Sequence, residues 1–506
     1  MELDAKRFTE GATLDTDICI VGAGPAGLVI ANELVDRQCD VILLESGGNR
    51  AESEILALNV GDASGDVYAG LGATRHRQVG GTTHLWNSAA RGSIGAKYAP
   101  LDAADFRARP AFEHSGWPFE RSELETDYER AQRICGLGSF AYDADSWATP
   151  RAIPWTGVGP ELVSRVYQFG ARDALVAPLR ASIARATNVR LCTHATATTF
   201  ETNGSRRRIS AVSIATPGGP KWSVRAKWIV LAAGAVEIAR LLLVHNQRAG
   251  VTGDGTQWVG RGFMEHPRAR SITLRPSSPA IIASAGFYDL HEAVGGTWII
   301  GRLAISDAAL ASGELLNASA TLFPRLNAKT ERLRAMLPAF AGRWLPQGGH
   351  GWSTRRSAAR DFDGIDVLLN LEQSPHPDNR ITLSHRRDSL GVPLPALHWE
   401  WRAGDHARLE RVRQLVVENL ASIGVATIDG DSRPDPNAHH HAGTTRMHDD
   451  PKRGVTDRHG RVHASDNLYV AGASTFPTAG FANPVLTIVA TALRLARHLG
   501  DAATGG

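Results

Sequence analysis

The sequence predicts an α/β domain that is interleaved along the chain with an α+β domain built on an antiparallel sheet. Three observations lead to this fold class. A glycine-rich motif stands between two apolar runs within the first fifty residues, and a second buried run ends in small residues near position 230. Positions 269 to 401 hold strand-like runs without strand–helix–strand spacing. This alternation indicates that the α/β domain is not continuous in sequence.

The N-terminal pattern is a strand, a glycine-rich turn, a helix and a second strand. An apolar run leads into GAGPAG at residue 22, and a second apolar run, Val41 to Leu44, ends at Glu45. Such glycines allow a tight turn and a close backbone approach to a pyrophosphate, and the acidic residue lies where it would bind a ribose hydroxyl. The motif alone does not separate NAD from FAD. It predicts a Rossmann-like site formed by Gly22, Gly24, Ala26, Gly27 and Glu45.

The composition is that of a globular protein. Of the 506 residues, 43% are hydrophobic and 21% are charged, and the net charge is +3. This charge is too small to indicate nucleic acid or an anionic membrane as a partner, and no apolar run is long enough to span a bilayer. The four cysteines are widely spaced, and the N-terminus has no apolar signal segment. We therefore expect free thiols, a reducing compartment and a cytoplasmic location.

A second glycine-rich segment lies between residues 70 and 95. It combines paired glycines with polar and aromatic side chains, which suits a backbone that wraps around a flat ligand. An ordinary turn with a packed tryptophan would give the same pattern. The candidate cofactor contacts here are Gly80, Gly81, Thr82, His84, Trp86 and Asn87.

The chain returns to the nucleotide-binding pattern near residue 228. The run from Trp228 to Gly234 predicts a buried strand that ends in small residues, with a helix after it. Small residues at the carboxyl end of a strand let a cofactor approach the backbone, so Ala233 and Gly234 are further candidate contacts.

Residues 269 to about 401 follow another pattern, with strand-like runs separated by turn residues. No strand–helix–strand spacing occurs, so the runs predict an antiparallel sheet. From Asp405, apolar residues recur at helical spacing. The predicted strands are Arg270–Leu274, Gly296–Ile305, Asn317–Phe323, Ile365–Leu371, Arg380–Ser384 and Ala396–Trp401.

The C-terminal part contains the candidate catalytic residues. Three histidines, His439 to His441, precede a Gly-Thr-Thr-Arg-Met run, and a later Gly/Ser/Pro turn leads to Asn483-Pro484. Asn is a favoured N-cap and Pro fits the first helical position, so a helix is predicted to begin here. The N-terminus of a helix favours an anion. The candidate cofactor contacts in this part are Gly472, Ala473, Asn483, Pro484 and Val485.

Three adjacent histidines could also indicate a metal site. However, neighbouring side chains in an extended loop point in alternating directions, and no cluster of cysteines or carboxylates accompanies them in the sequence. We therefore expect no bound metal, and we expect His439 and His441 to support the site structurally.

In combination, these motifs resemble those of the glucose–methanol–choline (GMC) family of flavin oxidoreductases. The resemblance covers essentially the whole chain and implies bound FAD. It further implies that His440 is the catalytic base, that Asn483 orients the substrate hydroxyl, and that the helix after Pro484 faces the flavin. It rests on GAGPAG with Glu45, Val79-Gly-Gly-Thr82, Val259-Gly-Arg-Gly-Phe-Met-Glu-His-Pro267, His440 with Gly443 to Met447, and Asn483-Pro484.

The resemblance also implies a division into domains. Residues 1–100, 175–268 and 425–506 are assigned to a discontinuous FAD-binding domain, residues 101–174 to a peripheral helical lid, and residues 269–424 to a substrate-binding domain. These boundaries follow the changes in hydrophobic pattern along the chain.

One position departs from the pattern of the fungal-type pyranose oxidases. Those enzymes carry a His directly before Trp in the second glycine-rich segment, and this His is covalently joined to the flavin. Here Leu85 precedes Trp86, and His84 is one place earlier. The departure implies that FAD is bound without a covalent link.

Within the family, the chain most resembles pyranose oxidases and bacterial C-glycoside 3-oxidases. This likeness implies oxidation of a secondary alcohol on a sugar or glycoside ring, with C3 of a glucosyl group as the expected position. The hydride would pass to flavin N5, the proton to His440, and the electrons to O2 or another acceptor. The alternatives are another alcohol such as an amino-sugar or a sterol, a quinone or protein acceptor, and a flavin-fold lyase.

Overall fold

The computed structural model describes residues 1–86, 94–171, 173–203, 206–312, 314–336, 351–353, 361–429 and 438–504. The strands are β1 (Glu2–Asp4), β2 (Thr13–Val21), β3 (Val41–Leu44), β4 (Asp62–Gly65), β5 (Ile94–Tyr98), β6 (Leu162–Ala171), β7 (Val189–Thr193), β8 (Thr196–Thr202), β9 (Ile209–Ala215), β10 (Lys221–Leu231), β11 (Arg268–Pro276), β12 (His291–Glu292), β13 (Trp298–Ile305), β14 (Ala318–Leu326), β15 (Phe362–Leu371), β16 (Arg380–Arg387), β17 (Pro393–Trp399), β18 (Val425–Asp429) and β19 (Leu468–Val470). The α-helices are α1 (Pro25–Glu33), α2 (Ser53–Ala57), α3 (Ala103–Phe106), α4 (Glu125–Ile134), α5 (Val176–Arg185), α6 (Ala235–Ala249), α7 (Pro279–Ser284), α8 (Asp307–Leu310), α9 (Ala328–Met336), α10 (Ala403–Ala421) and α11 (Val485–Thr504).

The first sheet contains the glycine-rich motif and has the strand order β1-β7-β3-β2-β10-β9-β8, with β19 also pairing with β10. Strand β2 lies parallel to both β3 and β10, and β19 is parallel to β10. Strand β3 is buried along its whole length, which explains its unbroken run of apolar residues. The last strand in the sequence therefore joins a sheet that the first residues begin.

The second sheet is antiparallel, with the order β18-β11-β15-β14-β13-β6-β5 and the short β12 beside β13. Its central strands β11, β13, β14 and β15 correspond to four of the predicted runs. The remaining two runs, β16 and β17, form a hairpin that pairs with β4 in a separate three-stranded sheet.

The strands of the second sheet cross the predicted domain boundaries. Strands β5 and β18 belong to this sheet, although their residues were assigned to the FAD-binding domain, and β6 belongs to it rather than to a helical lid. The reason lies in long-range pairing. In β6, for example, Phe169 pairs with Trp298, and the polar residues within the strand interrupt any clear alternation.

Helix α11 packs directly against α1. Leu486, Val489 and Leu493 of α11 share a buried core with Leu28 of α1. This packing places the start of α11 beside the glycine-rich turn that opens α1. Among the helices of the described residues, none combines the length and hydropathy needed to cross a bilayer.

Candidate active site

A cavity lies at the carboxyl ends of β2, β3, β10 and β19, the edge where open α/β sheets bind their ligands. It contains about 1420 Å³ of atom-free space, including its open mouth. Most of the residues expected to contact the cofactor line it. They are Gly22, Gly24, Ala26, Glu45, Gly81, Thr82, Trp86, Ala233, Gly234, Gly472, Ala473, Asn483, Pro484 and Val485.

The structure places the other expected contacts elsewhere. A Cβ on Gly27 would lie 1.9 Å from a backbone oxygen of the same turn, so this glycine permits helix–strand packing. Gly80 has a φ of +97° and shapes its loop. The His84 ring is exposed and hydrogen-bonds the carbonyl oxygen of Val79 at 2.8 Å, outside the cavity wall. Asn87 is outside the described residues.

Three helices direct their N-termini toward the cavity. Helix α1 begins after Gly24, α6 begins after Gly234, and α11 begins at Val485, and all three of these residues line the wall. Open space surrounds the position that a Cβ would take on Gly24 and on Gly234, so a ligand can approach the backbone there. Free N–H groups and three positive helix ends fit a pyrophosphate and an anionic ring.

Glu45 lies at the end of β3, in the cavity wall. Its carboxylate oxygens accept hydrogen bonds from the backbone N–H groups of Ala23, at 3.0 Å, and Gly47, at 2.9 Å. Burial raises the pKa of Glu45 to about 7, and these two hydrogen bonds oppose the rise. Each oxygen keeps further acceptor capacity, which fits the hydroxyl groups of a ribose.

A charged cluster in the same wall was not found from the sequence. Glu237, in the first turn of α6, forms ion pairs with Arg75 and with Arg77, the latter at 2.9 Å, and Arg240 lies 3.3 Å away. Burial alone would raise the pKa of Glu237, but the three guanidinium groups lower it well below its usual range. The partners are far apart in sequence, so no local motif joins them.

His440 is the histidine of the triplet that faces Asn483. The side-chain amide nitrogen of Asn483 lies 3.2 Å from His440 Nε2, and both residues line the cavity. On the other side of the ring, His440 Nδ1 lies 2.9 Å from His266 Nδ1. His266 Nε2 lies 3.2 Å from the carbonyl oxygen of Ala479. His266 belongs to the Glu-His-Pro segment and was not assigned a role from the sequence.

These contacts determine which ring nitrogens carry protons. A carbonyl oxygen only accepts, so His266 Nε2–H must donate to Ala479. Burial lowers the pKa of His266 to about 4, so its ring is neutral and its Nδ1 is an acceptor. His440 Nδ1–H must then donate to it. The remaining nitrogen, His440 Nε2, is therefore unprotonated and faces Asn483 and the cavity.

Glu265 holds the backbone of both His440 and His266 by hydrogen bonds. One carboxylate oxygen accepts hydrogen bonds from the backbone N–H groups of His440, at 2.9 Å, and His266, at 3.3 Å. The other oxygen accepts from the Tyr68 hydroxyl, which lies 2.8 Å from His441 Nε2. Because the Tyr68 proton is directed to the carboxylate, His441 donates to Tyr68. His441 thus supports Glu265 and does not face Asn483.

Glu265, His439 and His441 could in principle hold a metal, since each offers one ligand atom and these atoms lie within 4.8 Å of one another. Tyr68 already bonds two of these three groups. Burial lowers the pKa of His441 to about 3 and raises that of Glu265 to about 7. Hydrogen bonding within the protein therefore accounts for Glu265 and His441.

The chain is similar to known proteins in sequence and in fold. Residues 375–492 match the family model of the GMC oxidoreductases. The fructose dehydrogenase large subunit of Gluconobacter japonicus is 24% identical over 96% of this chain and 97% of its own length. The C-glycoside 3-oxidase of Arthrobacter globiformis is 34% identical over 23% of each chain. A formate oxidase variant of Aspergillus oryzae has the same fold, with a TM-score of 0.55 at 15% identity over 98% of this chain and 100% of that one.

The chain contains a GMC oxidoreductase C-terminal domain and has the GMC oxidoreductase fold. Members of this family are FAD-dependent oxidoreductases that act on CH–OH groups, and this GMC oxidoreductase is an enzyme of that class. The wall formed by Gly22, Gly24 and Glu45 fits the pyrophosphate and ribose of FAD. Residues at the start of α11 would hold the flavin end, beside His440 and Asn483.

Proposed function

We propose that this GMC oxidoreductase converts a secondary hydroxyl of a sugar ring to a ketone, at C3 of a pyranose or glycoside, with non-covalently bound FAD. One observation carries the proposal. The hydrogen-bond chain from Ala479 through His266 leaves His440 Nε2 unprotonated, at the cavity and 3.2 Å from the Asn483 amide. A neutral imidazole beside an amide donor can accept the proton of a substrate hydroxyl.

In this proposal, His440 and Asn483 both act on the substrate hydroxyl. The substrate hydroxyl donates to His440 Nε2, and the Asn483 amide donates to the hydroxyl oxygen and stabilises the charge that grows there. When bound, FAD supplies the acceptor, at N5, for the hydride that leaves the same carbon. The N-terminus of α11 would favour negative charge placed against it. The proton taken from the hydroxyl remains on His440.

The pKa of His440 supports its role as a base. Burial lowers this pKa well below the usual value of 6.5, and neighbouring His266 and Lys97 lower it further. The ring is therefore neutral at neutral pH. General-base catalysis requires the neutral form, so the rate of flavin reduction should rise with pH only in the acidic range and stay flat above it.

The choice of a sugar ring is supported by the relatives, whose names specify fructose and a C-glycoside as substrates. The test is anaerobic mixing of the holoenzyme with methyl glucoside and, separately, with its 3-deoxy counterpart. Bleaching of the flavin by the first compound alone, with a 3-keto product, is expected. Equal bleaching by the 3-deoxy compound would place the reaction at another carbon. Product formation without bleaching would instead indicate lyase chemistry.

The electron acceptor is measured separately. Hydrogen peroxide formed per product molecule in air, compared with dye reduction in its absence, separates oxidation by O2 from use of a quinone or protein acceptor. A stoichiometric yield of peroxide identifies an oxidase.

Non-covalent attachment of FAD is supported by the position of His84, whose ring contacts the Val79 carbonyl outside the cavity. Acid precipitation of the purified enzyme should leave a yellow supernatant. A coloured pellet after repeated washing would show a covalent bond and contradict this part of the proposal.

A further inference from the structure

The antiparallel sheet presents two cations near the loop that carries Asn483. Lys97 on β5 and Arg302 on β13 both lie against the ring of Tyr167, with Lys97 Nζ 4.5 Å and Arg302 Cζ 5.0 Å from its centroid. Arg302 Cζ also lies 4.4 Å from the ring of Phe481, two residues before Asn483. Neither cation lines the cavity, but Lys97 follows Ala96 of the cavity wall, and its charge acts on His440.

Neither cation forms an ion pair with a carboxylate among the described residues. Arg302 is 1% exposed, and its Nη1 has no hydrogen-bond partner there. The acids nearest to Arg302 are Asp102 and Asp105, and both are engaged: Asp102 pairs with Arg165 at 2.6 Å, and Asp105 accepts from an amide at 2.9 Å. Burial, together with the charges of Arg268 and Arg302, lowers the pKa of Lys97 to about 8.

The same face of the sheet holds further buried polar atoms that lack partners in the described part of the chain. The Tyr167 hydroxyl donates to Ser319 at 3.1 Å, which shows that β6 and β14 present these side chains to the same side. Thr321 lies two residues along β14, and Asn370 pairs with Ser319 in the register, so both face that side as well. Thr321 Oγ1 and Asn370 Nδ2 are both unpaired.

Burying these unpaired polar groups and charges would lower the stability of the protein if they served only for packing. Ordered water can satisfy a hydroxyl or an amide, but it compensates a buried charge poorly. A buried charge that lacks an ionic partner destabilises a fold. Two cations without a carboxylate, next to a substrate site, are therefore best explained by an anion that arrives with the ligand.

We infer that Lys97 and Arg302 form an anion subsite, and that the substrate is a ring alcohol that also carries a carboxylate, such as a uronic acid glycoside. This inference rests on the proposed function and specifies its substrate class. In a uronic acid ring, the C3 hydroxyl and the carboxylate on C5 are separated by C4 and point away from each other. The hydroxyl can then meet His440 while the carboxylate meets the cations near Phe481.

The test compares substrates that differ only in charge. Anaerobic flavin reduction of the holoenzyme is measured with methyl glucuronide, methyl glucoside and glucose 6-phosphate. The glucuronide should bind about 10- to 100-fold more tightly than the glucoside, as expected for hydrogen bonds to a charged group. Equal affinities of the glucuronide and the glucoside would overturn the inference, unless the phosphate binds more tightly than both and identifies itself as the anion.

Two substitutions locate the effect. Lys97→Met keeps the length of the side chain and removes its charge, so the preference for the glucuronide should fall about 10-fold or more. Arg302→Lys keeps the charge and should retain part of the preference even if Arg302→Met fails to fold. Arg225→Met is the control, because Arg225 is 61% exposed and pairs with Asp15 at 2.9 Å. An unchanged preference in Lys97→Met would exclude Lys97 from the subsite.

A binding measurement that needs no turnover separates this inference from the proposed function. Benzoate and its neutral counterpart benzamide are titrated while the flavin absorbance is recorded. Tighter binding of benzoate in the wild type, lost in Lys97→Met, would support the subsite even if no sugar were oxidised. Equal binding of both compounds would contradict the subsite even if neutral glycosides were oxidised.

Discussion

His440 stands at the end of a hydrogen-bond chain, so removal of its ring removes the proton acceptor itself. His440→Ala should lower the rate of flavin reduction by at least about 10²-fold, the lower part of the range for general-base catalysis. FAD should stay bound, because most of the wall that would hold it is formed by other elements. The measurement is anaerobic stopped-flow reduction, with the flavin content determined from absorbance.

His441→Ala is the matched comparison within the triplet. Its ring hydrogen-bonds Tyr68 and lies 3.3 Å from the Glu265 carboxylate. Its loss should therefore have a smaller effect on the rate of flavin reduction. A near-normal rate in His440→Ala together with a large loss in His441→Ala would move the base one residue along the chain.

His266 has a positioning role in this arrangement, because it accepts the Nδ1 proton of His440. In His266→Ala, the His440 proton can move to Nε2, and the rate of reduction should fall about 2- to 10-fold, as for the loss of one hydrogen bond. The pKa of His440 should rise toward its usual value without this neighbour. The acidic limb of the pH profile for flavin reduction should therefore shift to higher pH.

His266→Gln provides the control for that prediction. The Gln side chain can accept from His440 with its oxygen and donate to the Ala479 carbonyl with its nitrogen. It should recover most of the rate. If both variants keep the wild-type rate and the wild-type acidic limb, His266 does not set the proton position.

At the scale of elements, the end of β3 determines how the nucleotide half of the cofactor is held. Glu45→Ala should weaken FAD binding by about 1.5–3 kcal/mol, since hydrogen bonds from ribose to a charged acceptor are lost. The dissociation constant is measured by titrating the apoprotein with FAD and following flavin fluorescence. Unchanged occupancy in the purified variant would count against Glu45 as the ribose ligand.

Elements that follow local sequence rules could be predicted, whereas contacts between distant segments could not. The turn at Gly22, strand β3 and the start of α11 follow local rules of glycine conformation, apolar runs and capping, so they were predictable. Strand β6 and the Arg75–Glu237 pair depend on contacts between distant segments, which leave no local pattern. The role of His266 follows from two distances and a carbonyl acceptor, and only coordinates supply these.

At the scale of the whole molecule, the FAD-binding region is assembled from distant parts of the chain. Strand β19 pairs with β10, and α11 packs on α1, so the N-terminal sheet is incomplete without the C-terminal segment. A fragment that ends near residue 270 should therefore not retain FAD. The test is expression and size-exclusion chromatography with absorbance at flavin wavelengths, and a stable yellow fragment would contradict the discontinuous layout.

The closing of the cavity by Asn483 and α11 has a consequence for synthesis. Gly22 leaves the ribosome long before Asn483, so the wall of the cavity stays open on one side while the polypeptide is still being translated. The complete cavity, and with it full binding of FAD, is therefore available only after translation of the last helix. The supply of FAD should thus control how much enzyme matures after translation rather than how fast the chain is made.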